Sequence, residues 1–446
     1  MSLAIFKNVE DSYLILDCYG GGMWEFEKSE LVSYLKILHA YQHGINIEYY
    51  ISSINDNEQQ KHIQEVYDFI LNQQIPLHVT FVAQSILSNL ESYSAGLITV
   101  PFVNIEVSRL CNYNCYWCFL DEKNNSLEEA LGLDEIIDYV VKPMAKQGVL
   151  QWGITGGEPS LTLDKTLRLA KFINNYIEQL YDLKPEIIVF TNGYNLSENA
   201  HLYYEHGITS VQISLSSGNR EMENILRKPP KGIDSYDEVI KGIEACKEIG
   251  LKVNLNSVIS HDMGIGSNSD YIPELFDIAA KYEVDVFDLS LACPAGEAKK
   301  NNLVFNKNEY NKIIKYIQKN QYKLSPKTYF SNPCENLEVG RDICCGTGMI
   351  EFYIDYRGFT YPCNNLSDPQ LKCSTKKVTE KDIDEIWFSS HLLKQLRDYD
   401  TFFVNDECGS CNYRGFCVGS CIAKIWHQFG TFNLNKKPKN CYKDQF

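Results

Sequence analysis

The sequence predicts an α/β fold: a partial (β/α)6 TIM barrel lies between a small α+β module and a cysteine-rich segment. From residue 100 to about residue 320, apolar and β-branched runs alternate six times with stretches of helical period. Before residue 96 this alternation is absent, and after residue 320 the chain becomes rich in Cys, Gly, Asn and Asp. We therefore expect three parts, at residues 1–95, 96–320 and 321–446.

The first part is predicted to be a winged-helix-like α+β module. Its segment 11–28, DSYLILDCYGGGMWEFEK, is typical of a β-hairpin that turns at three glycines. Helical periods follow at 29–42 and 57–74, and the run at 44–53 predicts another strand between them. Such a module is either a structural cap on the barrel or a binding module.

The second part supplies six strand–helix units. The predicted strands cover residues 100–108, 149–155, 186–192, 210–216, 252–260 and 286–292. The predicted helices cover residues 133–148, 163–181, 197–207, 235–250, 271–283 and 306–320. Several of these strands are apolar on both sides, as strands covered on both faces are. Six units joined by right-handed crossovers form a partial barrel, short of the eight units of a full one.

Composition and charge exclude several classes of protein. The net charge of −16 argues against nucleic acid as a partner, because phosphate binding needs a basic face. No apolar run has the length of a transmembrane helix, and the first residues lack the pattern of a secretory signal. We therefore expect a cytoplasmic protein with no membrane partner. In that reducing compartment, sixteen cysteines indicate metal binding rather than disulfides.

Three cysteines directly follow the first predicted strand, in the segment CNYNCYWC at 111–118. They are Cys111, Cys115 and Cys118, at the carboxyl end of the strand, where barrel active sites form. Three thiolates can hold three irons of a four-iron cluster, which leaves the fourth iron with an open coordination position. The alternatives are a zinc site completed by a distant ligand, or cysteines buried in the core.

The loops after the next strands carry glycines and polar residues at the same predicted edge. GGEP follows the second strand; its glycines let the backbone approach a ligand closely, and its glutamate can accept a hydrogen bond from an ammonium group. TNG ends the third strand, a serine lies at the end of the fourth, and an arginine follows in the next helix. These candidate residues are Gly156, Gly157, Glu158, Pro159, Asn192, Ser214 and Arg227.

These motifs resemble those of the radical S-adenosylmethionine (SAM) enzymes: CNYNCYWC fits CX3CXΦC, and GGEP fits the amino-group motif. The resemblance implies a [4Fe–4S] cluster on the three cysteines, with SAM on the open iron. It further implies that Trp117 lies near the adenine, and that the GGEP residues, Asn192, Ser214 and Arg227 contact SAM. One electron would cleave SAM, and the 5′-deoxyadenosyl radical would abstract a hydrogen atom from the substrate. After the sixth strand many members carry an arginine where this chain has Glu297.

The later cysteines resemble the SPASM pattern, CX9–15GX4C followed by CX2CX5CX3C and a final cysteine. The resemblance implies two auxiliary [4Fe–4S] clusters, and so three clusters in all. One would lie on Cys408, Cys411, Cys417 and Cys441. The other would lie on Cys345, Cys363 and Cys421, with Cys344 or Cys334 as the fourth ligand or Cys344 in place of Cys345. The alternative at 408–421 is a zinc knuckle. Cys246 is expected in the core, and Cys18, Cys293 and Cys373 are expected to be buried or incidental.

Most SPASM proteins modify peptides or proteins, and the first part resembles a RiPP recognition element, which binds the leader of a ribosomally made precursor peptide. Together the three parts resemble peptide maturases of the streptide-type Lys–Trp cyclase group. The implied reaction is an intramolecular carbon–carbon or thioether cross-link, with a leader-bearing precursor and an electron donor such as flavodoxin or ferredoxin as partners.

Two other functions stay open at this point. One is a sulfatase-maturase-like oxidation of Cys or Ser to formylglycine under anaerobic conditions, and the other is a non-catalytic iron–sulfur electron carrier. The sequence identifies no catalytic acid or base. His261 and Asp262 follow the fifth predicted strand, but both are also ordinary loop residues.

Overall fold

The computed structural model describes residues 3–10, 12–17, 22–100, 102–120, 129–259, 268–293, 295–301, 316–317, 319–331, 346–397, 422–430 and 432. The strands in these ranges are β1 (Leu3–Lys7), β2 (Tyr13–Asp17), β3 (Met23–Phe26), β4 (Gly96–Leu97), β5 (Phe102–Glu106), β6 (Gln151–Thr155), β7 (Glu186–Thr191), β8 (Ser210–Ser214), β9 (Lys252–Ile259), β10 (Val286–Leu291), β11 (Tyr329–Ser331), β12 (Glu351–Ile354) and β13 (Thr360–Tyr361).

The α-helices in the same ranges are α1 (Lys28–Gln42), α2 (Ile47–Ser52), α3 (Asn57–Gln73), α4 (Ala83–Asn89), α5 (Leu133–Ile136), α6 (Lys142–Lys146), α7 (Leu163–Tyr181), α8 (Leu196–Glu205), α9 (Arg220–Arg227), α10 (Ser235–Ile249), α11 (Ile272–Lys281), α12 (Gly296–Lys300), α13 (Ile383–Ser389), α14 (His391–Arg397) and α15 (Ile422–Phe429). A π-helical turn, Ile137–Val141, joins α5 to α6 within the predicted helix 133–148. Pro143, which lacks a backbone N–H, lies just after this turn.

The main sheet contains the six predicted strands of the barrel, β5 to β10, side by side in chain order. Every neighbouring pair among them is parallel. Helices connect the consecutive strands, as the alternation in the sequence predicts. The prediction of a parallel α/β sheet is therefore confirmed. The predicted helix 306–320 lies largely outside the described residues.

The two faces of this sheet differ in character. Alternate strand residues join the helices in one large apolar core: Val103, Ile105, Trp152, Ile154, Ile187, Val189, Val211, Ile213, Val253, Leu255, Phe287 and Leu289. The opposite side, here called the inner face, carries the intervening residues, many of them polar and half-buried. In β9, for example, every second residue is buried and the others are half-buried or exposed. The two faces of the strands are therefore not covered alike, although several strands are apolar on both sides in sequence. A doubly wound sheet has helices on both faces, so a polar, half-buried inner face favours a barrel.

The first part of the chain forms a four-stranded antiparallel sheet in the order β3-β2-β1-β4. Its helices α1, α3 and α4 cover one face and enclose a separate apolar core. The pairing of β2 with β3 agrees with the predicted hairpin. The opposite face contributes Ala4, Leu16 and Leu97 to the core of the main sheet, so the module packs firmly on the barrel.

The prediction of a strand at 44–53 is wrong, because the structure has helix α2 there. The side chain of Asn46 caps this helix by accepting a 2.8 Å hydrogen bond from the N–H of Tyr49. Ile47 and Ile51, one helical turn apart, are its buried residues. The apolar spacing of four residues is therefore helical, although the β-branched composition favoured a strand.

The third part extends the main sheet at both ends. Strand β11 pairs with β10, and β12 pairs with β5 and forms a hairpin with β13. Trp387 of α13 is fully buried and donates a 3.0 Å hydrogen bond to the carbonyl of Thr99. The sheet thus crosses the predicted boundary at residue 320. Among the described helices, none combines the length and the apolarity needed to cross a bilayer.

Candidate active site

The cysteine segment CNYNCYWC leaves β5 at the carboxyl edge of the main sheet, and its three cysteines are half-buried. The end of α9 holds one side of this segment. The N–H of Asn114 donates to the carbonyl of Arg227 at 3.2 Å, and the N–H of Tyr116 donates to the carbonyl of Leu226 at 3.1 Å. The segment is therefore fixed by backbone contacts with the helix that follows β8.

Helix α12 and the residue that follows it hold the other side of the segment. The N–H of Glu297 donates to the carbonyl of Cys118 at 2.8 Å, and the side-chain amide of Asn301 donates to the carbonyl of Tyr116 at 2.9 Å. Gly296 has φ +50°, and a Cβ atom there would overlap the carbonyl of Cys118. The side chain of Glu297 pairs with Lys300 at 2.7 Å. The residues from Gly296 to Asn301 thus hold backbone carbonyls of the cysteine segment.

Gly156 and Gly157 make the closest backbone approach in the site. A Cβ atom on Gly156 would overlap the carbonyl oxygen of Ser108, and one on Gly157 would overlap that of Leu110. The N–H of Gly157 donates to the carbonyl of Ser108 at 2.8 Å, and the N–H of Glu158 donates to that of Leu110 at 2.6 Å. Only glycine allows the loop after β6 to lie this close to the start of the cysteine segment.

The carboxylate of Glu158 is fully buried and anchors the loops after β6 and β7 to each other. It accepts from the N–H of Asn192 at 2.6 Å, from Thr191 Oγ1 at 2.9 Å and from the N–H of Ser160 at 3.0 Å. Burial raises its pKa above the ordinary value, although these donors act in the opposite direction. Donors of the protein thus hold the carboxylate that the sequence predicts as an acceptor for an ammonium group.

Arg227 and Glu223 form a buried charged pair on α9. Their side chains are 3.7 Å apart, and Glu223 also accepts from the backbone of Ser216 and Ser217. Burial alone would lower the pKa of Arg227, but Cys115 and Glu223 raise it above the ordinary value. The Arg227 guanidinium therefore lies within electrostatic reach of the cysteines. Sequence reasoning missed Glu223. Its position, four residues before Arg227 in a predicted helical stretch, could have indicated the pair.

Trp117 is buried in a small apolar cluster with Met222 and Leu226 of α9 and Ala292 after β10. Val258, on the inner face of β9, packs against the same cluster. Ser214 is half-buried at the end of β8. Asn192 donates from its side-chain amide to Asn112 at 2.9 Å, which ties the loop after β7 to the cysteine segment.

Sequence reasoning also missed a charged network beneath the cysteine segment. Arg109 makes a two-point ion pair with Glu106, at 2.8 Å and 3.0 Å. Glu106 also accepts from the hydroxyl of Tyr353 in β12 at 2.8 Å, and the Arg109 guanidinium lies 4.9 Å from the ring centre of Tyr356. Tyr353 and Tyr356 lie about 250 residues from Glu106 in sequence, so no local pattern indicates their contacts with it.

Most of the predicted auxiliary ligands lie outside the described residues, as do His261 and Asp262. The cysteines outside the described residues are Cys344, Cys345, Cys408, Cys411, Cys417, Cys421, Cys441, the alternative ligand Cys334, and Cys18. Cys363 follows β13 and is buried with Leu366, Leu371 and Ile422, and the half-buried Cys293 packs against this cluster. Cys246 and Cys373 are buried, and burial raises the pKa of Cys246 to about 12. Cys246 is thus in the core, as predicted.

A comparison with protein-family models indicates which kind of domain the second part of the chain contains. Residues 105–279 match the model of the radical SAM superfamily. This segment is a radical SAM domain. It contains the cysteine segment, the glycine loop after β6 and Arg227.

The radical SAM domain also resembles curated enzymes. The chain is 31% identical to the GTP 3′,8-cyclase of Clostridium perfringens over 228 residues, which are 51% of this chain and 64% of that enzyme. It is 33% identical to a probable GTP 3′,8-cyclase of Thermoplasma volcanium over 180 residues, 40% of this chain and 50% of that protein. The chain therefore spans less than two thirds of the length of either relative.

Solved structures extend the likeness beyond the radical SAM domain. The superposition on Streptococcus suis SuiB covers 95% of this chain and 95% of SuiB, with a TM-score of 0.59 and 17% sequence identity. SuiB has also been solved with S-adenosylmethionine and with its precursor peptide SuiA. Native anSMEcpe with bound AdoMet covers 77% of this chain and 94% of its own, with a TM-score of 0.59 and 19% identity. At these identities the likeness shows a shared fold.

The residue types of the radical SAM domain, three thiols on one segment with polar groups beside them, suit a sulfur-ligated cluster and a polar ligand. The three thiols lie on one segment next to a buried guanidinium, and the glycine loop packs backbone to backbone against the start of that segment. Within the described residues, the Oγ of Ser108 and the side-chain nitrogen of Asn112 are buried without a hydrogen-bond partner. In the same residues, no three His, Cys, Asp or Glu side chains are arranged to hold a metal ion, the three thiols included.

Proposed function

We propose that this chain is a radical SAM enzyme that modifies a ribosomally made precursor peptide. The product is an intramolecular cross-link, a carbon–carbon bond of the Lys–Trp type or a thioether. The likeness to SuiB supports this proposal most directly, because it covers 95% of both chains and SuiB has been solved with a precursor peptide. It includes the first and third parts of the chain as well as the radical SAM domain.

Each group of residues has a role in this proposal. Cys111, Cys115 and Cys118 would hold a [4Fe–4S] cluster, and the loop Gly156–Gly157–Glu158–Pro159 would hold the methionine end of SAM. Trp117, Asn192, Ser214 and Arg227 would contact the rest of SAM. Bound there, the cluster and SAM would supply one-electron cleavage of SAM and hydrogen-atom abstraction. The protein orients the peptide and excludes water.

The first part of the chain would bind the leader of the precursor. Strand β3 has a sheet neighbour on one side only in the described residues, so it can pair with an added strand. Met23 of β3 is 59% exposed and Phe69 of α3 is 42% exposed. Phe26 of β3 contacts Phe69 edge to face, with ring centres 5.9 Å apart. The edge of β3 and these apolar side chains suit an extended peptide with apolar residues.

The third part would carry two auxiliary [4Fe–4S] clusters on the SPASM cysteines. The burial of Cys363 next to β13 supports a ligand role there, because β13 is held to the radical SAM domain through β12. Closing a cross-link after hydrogen abstraction releases an electron, which an auxiliary cluster can accept. A flavodoxin or ferredoxin would supply the first electron, in the cytoplasm, where the thiols stay reduced.

A second candidate is the oxidation of a protein Cys or Ser to formylglycine, which the likeness to anSMEcpe favours. That likeness covers 77% of this chain, against 95% for SuiB. A reaction that needs no leader would be insensitive to changes at the edge of β3. The two candidates are therefore distinguished by the dependence of turnover on that edge.

A third candidate is GTP 3′,8-cyclisation, the activity named for the curated relatives. A triphosphate is bound best by Lys, Arg or helix N-termini. The inner face argues against such a ligand. Its acidic residues on the described strands are Glu106, Glu186, Asp288 and Glu351, and its basic residue is Lys252 at the exposed start of β9.

The test is anaerobic co-expression of the chain with candidate precursor peptides, taken from any short open reading frames found beside its gene. Mass spectrometry should show a peptide that has lost two hydrogens, and tandem spectra should locate the cross-link between two side chains. The Cys115→Ala variant is the control and should leave the peptide unchanged. An unchanged peptide with the native chain, together with conversion of GTP by the purified protein, would refute the proposal.

A further inference from the structure

The two elements that hold the cysteine segment also expose lysines beside it. The loop after α9 exposes two lysines, and the end of α12 exposes two more. Both elements contact Tyr116, since one lysine of the loop lies over its ring and Asn301 donates to its carbonyl at 2.9 Å. These residues are here called the lysine face, which comprises Lys228, Lys231, Lys299, Lys300 and Tyr116.

Lys228 contacts the cysteine segment at two points. Its carbonyl accepts from the N–H of Asn114 at 3.2 Å, and its ammonium lies 3.6 Å from the ring centre of Tyr116. Its φ is +47°, a left-handed conformation that is unfavourable for residues other than glycine. Helices often end in this conformation with glycine or asparagine. A lysine here gives up that preference and places an ammonium group directly over Tyr116.

The loop that continues from Lys228 is stiff. Pro229 and Pro230 each fix one backbone angle, and the N–H of Ile233 closes a turn by donating to the carbonyl of Pro230 at 3.1 Å. Lys231 is therefore presented by a loop of restricted conformation. Less freedom is then lost when a partner binds this loop than when a partner binds a flexible one.

The lysine face is basic although the whole chain is acidic, with 58 Asp and Glu against 42 Lys and Arg. Among the ion pairs of the described residues, one involves the lysine face, that of Lys300 with Glu297 at 2.7 Å. The exposed acidic residue of α9, Glu221, lies at the opposite end of that helix. Within the described part of the chain, three lysines therefore have no carboxylate partner: Lys228, Lys231 and Lys299.

We propose that the lysine face is the docking site of an acidic one-electron donor protein, of the flavodoxin or ferredoxin class. This inference rests on the proposed function and adds the surface at which the first electron enters. Tyr116 adjoins Cys115 in the chain, so a donor centred on its ring lies one residue from a proposed cluster ligand. The donor loses one electron and the cluster gains it. The lysines attract the donor and fix its orientation.

A second group of lysines provides both a matched control and an alternative entry point. Lys372, Lys376 and Lys377 lie in the third part of the chain, where the first and last have ammonium groups 3.4 Å and 5.7 Å from the ring centre of Phe359. Phe359 immediately precedes β13, and β13 leads to Cys363. An electron that entered here would enter at an auxiliary cluster.

The test uses an acidic bacterial flavodoxin and the anaerobically reconstituted holoenzyme. It measures their dissociation constant and, by stopped-flow absorbance, the rate at which the enzyme oxidises the reduced flavodoxin. The lysine-face variant, with Lys228→Gln, Lys231→Gln and Lys299→Gln, should bind about tenfold more weakly and react about tenfold more slowly at low ionic strength. An ionic strength of about 0.5 M should slow the native chain and leave this variant nearly unchanged.

Two controls accompany the variant. The third-part variant, with Lys372→Gln, Lys376→Gln and Lys377→Gln, removes the same charge and should behave as the native chain does. Dithionite is a small reductant that needs no docking surface, so it should reduce all three proteins at the same rate. This second control separates loss of the donor from damage to the cluster.

Several outcomes would overturn the inference. These are native-like binding and reduction of the lysine-face variant, slower reduction of the third-part variant instead, or slower reduction of the lysine-face variant by dithionite as well. Peptide modification is measured with dithionite-reduced protein and is therefore independent of docking. A cross-linked peptide together with any of these outcomes removes the lysine face alone. An unmodified peptide together with the expected slowing removes the proposed function alone.

Discussion

The carboxylate of Glu158 joins the loops after β6 and β7 although it is fully buried. The sequence predicts this residue from the motif GGEP, and the structure adds the donors that hold it, on Thr191, Asn192 and Ser160. A buried carboxylate is stable only when such donors offset the loss of hydration. Glu158 therefore acts first as a positioning residue for the loop after β7.

At the same scale, the ion pair between Arg109 and Glu106 is expected to be important for stability. The Glu106 side chain is fully buried and that of Arg109 is 12% exposed. We predict that Arg109→Met lowers the free energy of unfolding by about 3–5 kcal/mol, because it leaves a buried carboxylate unpaired. Urea unfolding of the variant and the native chain measures this difference.

The double variant Arg109→Met with Glu106→Gln is the control for this prediction. It removes both charges, so it should recover a large part of the lost stability. A single variant that is as stable as the native chain would contradict the prediction, as would a double variant that is less stable than the single one.

Lys165 of α7 makes a pH-dependent contribution to the stability of the folded chain. Its ammonium donates to the carbonyls of Val107 and Leu131 at 2.8 Å and 2.6 Å, and burial lowers its pKa from 10.5 to about 8. Between these values the unfolded chain binds more protons than the folded one, so stability should rise with pH across this window. The melting temperature of the native chain relative to Lys165→Met should therefore increase from pH 8 to pH 10. A difference in melting temperature between the two chains that stays constant from pH 8 to pH 10 would contradict this prediction.

At the scale of elements, the candidate site depends on loops that pack backbone to backbone. Gly157→Ala would push its methyl group into the carbonyl of Leu110, next to Cys111. We predict that this variant folds but binds less iron per chain after anaerobic reconstitution, because the cysteine segment is displaced. Gly132→Ala is the matched control, since a Cβ atom there meets only the end of the Glu135 side chain, at 3.4 Å. Equal iron content in the two variants would refute the prediction.

The edge of β3 allows a second prediction at this scale. The N–H of Asp17 donates to the carbonyl of Gly22. Because bonded and non-bonded pairs alternate in an antiparallel ladder, Met23 and Glu25 direct their N–H and C=O groups to the open edge. Glu25→Pro removes one of these donors and should weaken binding of a labelled leader peptide by about tenfold.

Glu25→Ala is the control for the edge, because it removes the carboxylate and keeps the N–H. It should bind the leader as the native chain does. Equal binding by the proline and native chains would show that the leader does not pair with β3. Truncation of residues 1–95 is a poorer test, because Ala4 and Leu16 belong to the core of the main sheet.

At the scale of the whole molecule, the sequence predicts what depends on local pattern. The six barrel strands and helices such as α3 and α7 follow from apolar periodicity, and the cysteine and glycine segments follow from motif spacing. The same reasoning assigned a strand to α2, where composition and spacing disagree. It did not indicate that β12 of the third part pairs with β5 of the second, across about 250 positions of sequence. Pairings and charged contacts between such distant residues leave no local pattern.

The central claim is that three cysteines leave one iron of a cluster free to bind SAM. The most direct measurement is the yield of 5′-deoxyadenosine when the anaerobically reconstituted, reduced chain is mixed with SAM. The account predicts brown protein that forms 5′-deoxyadenosine and methionine, and Cys115→Ala protein that forms neither. Colourless, zinc-loaded protein, or undiminished 5′-deoxyadenosine from the Cys115→Ala variant, would contradict it.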